Sequence, residues 1–87
     1  MGTRIYVGNL SFSTTEQSLR DLFAGDGRQV KGVSLVTDRG TGQPRGFAFV
    51  EMSTPGDAEA AIKNLDGHEL DGRSLKVSEA RERKGVG

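Results

Sequence analysis

Tyr6, Phe47 and Phe49 are the side chains of this sequence best suited to recognition chemistry. In Arg45-Gly46-Phe47-Ala48-Phe49-Val50-Glu51-Met52 the two phenylalanines alternate with small and aliphatic residues. Tyr6 alternates with Ile5 and Val7 in the same way. Side chains along a strand point to opposite faces, so Arg45, Phe47, Phe49 and Glu51 share one face and Gly46, Ala48, Val50 and Met52 the other. Arg4, Tyr6 and Gly8 likewise fall opposite Ile5 and Val7. An aromatic ring can bury ~150–250 Å², so leaving one on an uncovered surface is costly without a use. Beside the cations Arg4, Arg45 and Lys76, such rings form a stacking platform with phosphate partners at hand. Unpaired bases and their anionic backbone match that surface.

Two other readings stay open at this level. The faces could be reversed, with Phe47 and Phe49 in the core, but Arg45 and Glu51 would then be buried at heavy cost. An exposed aromatic patch also suits a protein-interaction surface.

Little else in the chain points to chemistry. There is no cysteine and a single histidine, which excludes disulfides, thiolate metal sites, cysteine nucleophiles and His-pair metal sites. His68 lies between Asp66 and Asp71 in a glycine-rich turn and reads as a solvated turn residue. The spacing of Asp66, Glu69 and Asp71 is not that of a calcium loop. Gly40-Thr41-Gly42-Gln43-Pro44-Arg45-Gly46 nearly spells a dinucleotide fingerprint, but its third glycine comes one place late and no helix follows. Asn9-Leu10-Ser11 forms a glycosylation sequon by chance. No phosphate-cradling loop and no nucleophile–base pair is apparent, so a binding role without catalysis, metal or cofactor is expected.

The 87 residues carry 12 Lys and Arg against 12 Asp and Glu. Zero net charge is unusual for a nucleic-acid binder unless the signs are segregated. The helix acids Glu16, Asp21, Asp57 and Glu59 are expected opposite the platform, which would supply that segregation. No apolar run approaches the ~20 residues that span a bilayer, and neither a secretory segment nor a myristoylation signal opens the chain. A cytoplasmic monomer that meets no membrane is expected.

The elements that must position the platform follow from periodicity and turn chemistry. Residues 3–8 read as a strand. A helix starts at Ser13 or Thr14, which pair with Glu16 or Gln17 as a capping box. Leu19, Leu22 and Phe23 form its apolar stripe, and Gly25 and Gly27 end it. Val30, Val33 and Leu35 mark a second strand, residues 38–44 a hairpin loop, and residues 46–52 a third strand. Thr54-Pro55-Gly56-Asp57 opens a second helix with stripe Ala58, Ala61, Ile62 and Leu65. Leu70 to Gly72 is a turn, and Leu75 and Val77 belong to a fourth strand. Phe12 and Phe23 read as core. The order β-α-β-β-α-β predicts an α+β, ferredoxin-like sandwich: a four-stranded antiparallel sheet with both helices on one face. The other face is then open, and the rings fall on it.

The octamer Arg45 to Met52 matches the ribonucleoprotein pattern K/R-G-F/Y-G/A-F-V-x-F/Y at seven of eight positions, with Met52 replacing the last aromatic. Ile5-Tyr6-Val7-Gly8-Asn9-Leu10 resembles the companion hexamer. From about residue 3 to 80 the chain resembles the RNA recognition motif family, and its brevity and closing residues look like the small single-domain RNA-binding proteins of bacteria. That resemblance implies single-stranded RNA as partner, with single-stranded DNA a further candidate. It implies that Tyr6 and Phe47 each stack on a base, that Phe49 packs against ribose between them, and that Arg45 pairs with a phosphate. Lys76, Ser78 and Ala80 would touch base edges, while Arg39 in the hairpin loop and Arg81, Arg83 and Lys84 in a flexible tail (residues 81–87) would add phosphate contacts. Asn9 is expected to fix the turn after the first strand.

Overall fold

The computed structural model describes residues 2–37, 40–42 and 44–80, apart from the side chains of Asp26, Pro44 and Arg45. Strand β1 (Arg4–Gly8) leads to helix α1 (Glu16–Ala24) and a short 3-10 turn (Gly25–Gly27). Strands β2 (Val30–Thr37) and β3 (Pro44–Met52) precede helix α2 (Pro55–Leu65), a small hairpin of β4 (Glu69–Leu70) and β5 (Arg73–Ser74), and strand β6 (Lys76–Glu79). The main sheet has the order β2-β3-β1-β6, antiparallel throughout, with the two platform strands at its centre. This is the expected α+β sandwich.

One face of the sheet is sealed. Ile5, Val7, Ala48, Val50 and Met52 have no exposed surface, and Val33 and Val77 are buried with them. They join Leu19 and Phe23 of α1 and Ala58, Ala61 and Leu65 of α2 in one core. The helix stripes and the strand alternation therefore meet on the same side, as two interlocking apolar patterns must.

Helix α2 starts as its sequence predicts, with the Asp57 amide donating to Thr54 Oγ1 at 3.1 Å and Pro55 in the first turn. Helix α1 starts one residue later than expected. Thr15 is the cap, accepting from the Ser18 amide at 3.1 Å. The two expected caps are occupied elsewhere. The Ser13 amide donates to Ser11 Oγ at 3.1 Å, and the Thr14 hydroxyl is turned inward, donating to Asp71 Oδ2 at 2.7 Å. At its C-terminus, the buried Arg28 donates from Nε to the Phe23 carbonyl at 3.0 Å, satisfying one of the carbonyls a helix end leaves over.

Phe12 is not core. It is 71% exposed, because the loop leaving β1 turns Leu10 and Thr14 inward and the residue midway between them outward. The β4–β5 hairpin is a second departure, since only a turn was expected there. Its tight turn is Asp71-Gly72, both at positive φ (52° and 82°), the backbone that two-residue hairpins favour. The fourth sheet strand then starts at Lys76, with Leu75 just before it bonding back to His68.

Candidate nucleic-acid interface

The register sets the open face out in rows. Gly32, Glu51 and Arg4 are neighbours across β2, β3 and β1. Ser34, Phe49, Tyr6 and Ser78 form the next row, and Phe47, Gly8 and Lys76 the third. Ala80 closes the first row, its amide donating to the Arg4 carbonyl at 3.0 Å. Lys76 and Ser78 are exposed, while Arg4, Tyr6, Phe47, Phe49, Glu51 and Ala80 are half-buried.

The three rings touch one another. Tyr6 lies 5.9 Å from both Phe47 and Phe49, and the two phenylalanines are 6.1 Å apart, centroid to centroid. Tyr6 and Phe47 are tilted by only 32°, whereas Phe49 stands at 63° and 86° to them. Two similarly inclined rings with a third standing across them can take two flat ligands and back the link between them. The separations fall in the range of favourable aromatic pairs, so the rings also hold one another in place.

Gly8 sets the attitude of Tyr6. A Cβ at Gly8 would lie 2.6 Å from Tyr6 Oη and 2.9 Å from Cε2 and Cζ. The tyrosine ring thus reclines over Gly8, beside the Gly8 partner Phe47, and any side chain there would lift it. The strand pattern identified Gly8 only as a member of the outer face. Its role follows from the ring that covers it.

Arg4 is placed differently from a free phosphate ligand. Its guanidinium carbon sits 5.2 Å from the Phe49 centroid, a cation–π contact. Glu51 is its direct cross-strand partner. The outer face is therefore not free of acid, and the separation of charge between the two sides of the sheet is incomplete. Asn9 holds the end of β1 as expected. At φ 61° its Nδ2 donates to the Ser74 carbonyl at 2.6 Å, and its Oδ1 accepts from Arg73 Nη2 at 2.8 Å.

Strand β3 carries an irregularity. Leu35 pairs with Ala48 but Thr37 with Pro44, so β3 runs through more residues than β2 over that interval. Gly46, at φ 92°, lies within the interval, and its carbonyl accepts from the Leu10 amide at 2.9 Å. Simple alternation therefore stops at Gly46. For Arg45, which precedes it, only the position on β3 is described. Arg39, Arg81, Arg83 and Lys84 lie outside the described residues. Ser34, beside Phe49, was missed from the sequence. Carrying the alternation of Val33 and Leu35 across to the neighbouring strand would have found it.

A four-stranded antiparallel sheet, helix-packed on one side and carrying clustered rings on the other, defines a sheet-platform domain. Residues 5–76 match the family profile of the RNA recognition motif, and the chain belongs to that family. A Nostoc protein provisionally named RNA-binding protein RbpA is 54% identical over 83 residues, 95% of this chain and 80% of the relative. The crystal structure of RNA-binding protein PG1 superposes with a TM-score of 0.87 at 43% identity, covering 95% of this chain and 99% of that one. The Sxl-lethal protein–RNA complex superposes with a TM-score of 0.88 at 32% identity, covering 97% of this chain and 50% of that one.

Proposed function

We propose that this domain binds single-stranded RNA on its open sheet face and does no chemistry on it. The observation that carries the reading is the cluster of Tyr6, Phe47 and Phe49 on the side the helices leave uncovered. Family membership and the RNA-bound relative support the choice of ligand. In this reading Tyr6 and Phe47 each carry a base, and Phe49 backs the ribose between them. Arg45, Arg39 and Arg81 meet phosphates, and Lys76, Ser78 and Ala80 meet base edges. Arg4, over Phe49, keeps a positive charge beside the path of the strand. Residues 3–80 form the binding unit, acting as a monomer in the cytoplasm.

Each base–aromatic stack is worth ~1–3 kcal/mol, so two give about 2–6 kcal/mol before the strand's ordering cost. Micromolar affinity needs about 8 kcal/mol, so micromolar or weaker binding follows. Single-stranded DNA is a second candidate ligand, because stacking does not require the 2′-hydroxyl.

Titrating the protein and its Phe47→Ala variant with a short single-stranded RNA tests the reading. The parent should bind and the variant should bind about 5- to 150-fold more weakly. Equal affinity in a folded variant would assign the platform to something other than nucleic acid, with a protein partner next in line.

A further inference from the structure

Glu51 is the one acid among the described residues of the open face, and a carboxylate is a poor neighbour for a phosphate chain unless it has a use. Its cross-strand partner is Arg4. Opposite charges placed directly across an antiparallel pair ordinarily engage each other. Among the described residues neither side chain forms an ion pair. Arg4 lies over Phe49, and among the described residues Glu51 Oε2 meets the Thr3 hydroxyl alone, at 3.4 Å, long for an O–H···O bond. An acceptor-only group and a donor-only fork thus flank the same ring with hydrogen-bonding capacity left over.

We propose that Arg4 and Glu51 form a donor–acceptor clamp that selects guanine at the Phe49 end of the platform. This rests on the single-stranded RNA reading above. The two oxygens of a carboxylate match two neighbouring N–H donors on one base edge. Guanine alone among the four bases offers such a pair, N1–H and N2–H, with the O6 acceptor alongside for a guanidinium. Adenine and cytosine present one amino group each, and uracil one imino group. A bidentate contact of this kind discriminates bases by roughly tenfold.

The test uses RNAs of the form UUXUUXUU, where X is guanine, inosine, adenine, cytosine or uracil, with the intact protein and its Glu51→Gln variant. Inosine retains O6 and N1–H but lacks the N2 amino group. The parent should bind the guanine RNA about tenfold more tightly than the adenine, cytosine and uracil RNAs, and inosine should lose most of that preference. Glu51→Gln should reduce the guanine preference to within about twofold while leaving the other RNAs bound equally well or better, since a repulsive charge is gone. Parent binding without base preference, an inosine RNA equal to the guanine RNA, or a Glu51→Gln effect equal on every RNA would overturn the clamp and leave RNA binding standing. Failure of every RNA to bind the parent would remove the platform reading itself, and the clamp with it.

Discussion

Along β3, Ala48, Val50 and Met52 are sealed beneath the helices, while Phe47, Phe49 and Glu51, each one residue away, are half-buried on the opposite side. The sealed face is built from small and aliphatic side chains that mesh with two helix stripes. The open face holds the larger rings, in contact with one another. A sheet packed for stability on both sides would place its largest apolar groups where they lose most water. Here the reverse holds at the centre of the sheet. Stability and recognition are thus assigned to opposite sides of the same residues' backbone, and substitutions should separate the two.

The strongest way to break that comparison is Phe23→Ala. Phe23 is fully buried, and truncating such a ring costs ~3–5 kcal/mol, a large part of a small domain's stability. Thermal unfolding should show a large fall in midpoint. Phe47→Ala should cost stability only ~1 kcal/mol through lost cross-strand packing, while removing ~1–3 kcal/mol of RNA binding. If the two variants unfold alike, the division between faces is wrong.

Gly8→Ala sharpens the comparison, because it disturbs the platform without removing a ring. The added methyl displaces Tyr6, so RNA affinity should fall by ~1 kcal/mol, part of one stack, with little change in unfolding. An NMR shift of the Tyr6 ring in the free variant would report the displacement directly. Thr54→Ala is the converse, a loss on the helix side. Removing this cap should cost ~1 kcal/mol of stability and leave RNA affinity unchanged. Salt probes the charged part of the interface as a whole. With three or four phosphates neutralised, log K should fall with log salt at a slope of roughly −2 to −3. A slope near zero would remove the phosphate contacts from the open face.

The layered fold and the face of each platform ring were legible in the sequence because both depend on period alone. Strand alternation fixes Phe47 against Ala48, and the helix stripes require a partner layer. Features that depend on competition between neighbours were not legible. Whether Thr14 or Thr15 caps α1 is decided by Asp71, distant in sequence, which takes the Thr14 hydroxyl. Phe12 has the composition of a core residue, but the path of its loop turns it out. The hairpin at residues 69–74 is too short for period to register, though Asp71-Gly72 carries its turn signal. On the platform, the residue types were visible but not their attitudes. That Arg4 lies on Phe49 rather than against Glu51, and that Tyr6 lies down over Gly8, are consequences of packing that alternation does not encode.

The most direct measurement is an NMR titration of the intact protein with a short single-stranded RNA, following its aromatic rings. Stacked bases shift the resonances of rings they cover, so Tyr6, Phe47 and Phe49 should move together as RNA is added, while Phe23, sealed beneath the sheet, stays in place. Shifts confined to residues of the helices, with the three platform rings unmoved at saturation, would contradict the assignment of recognition to the open face.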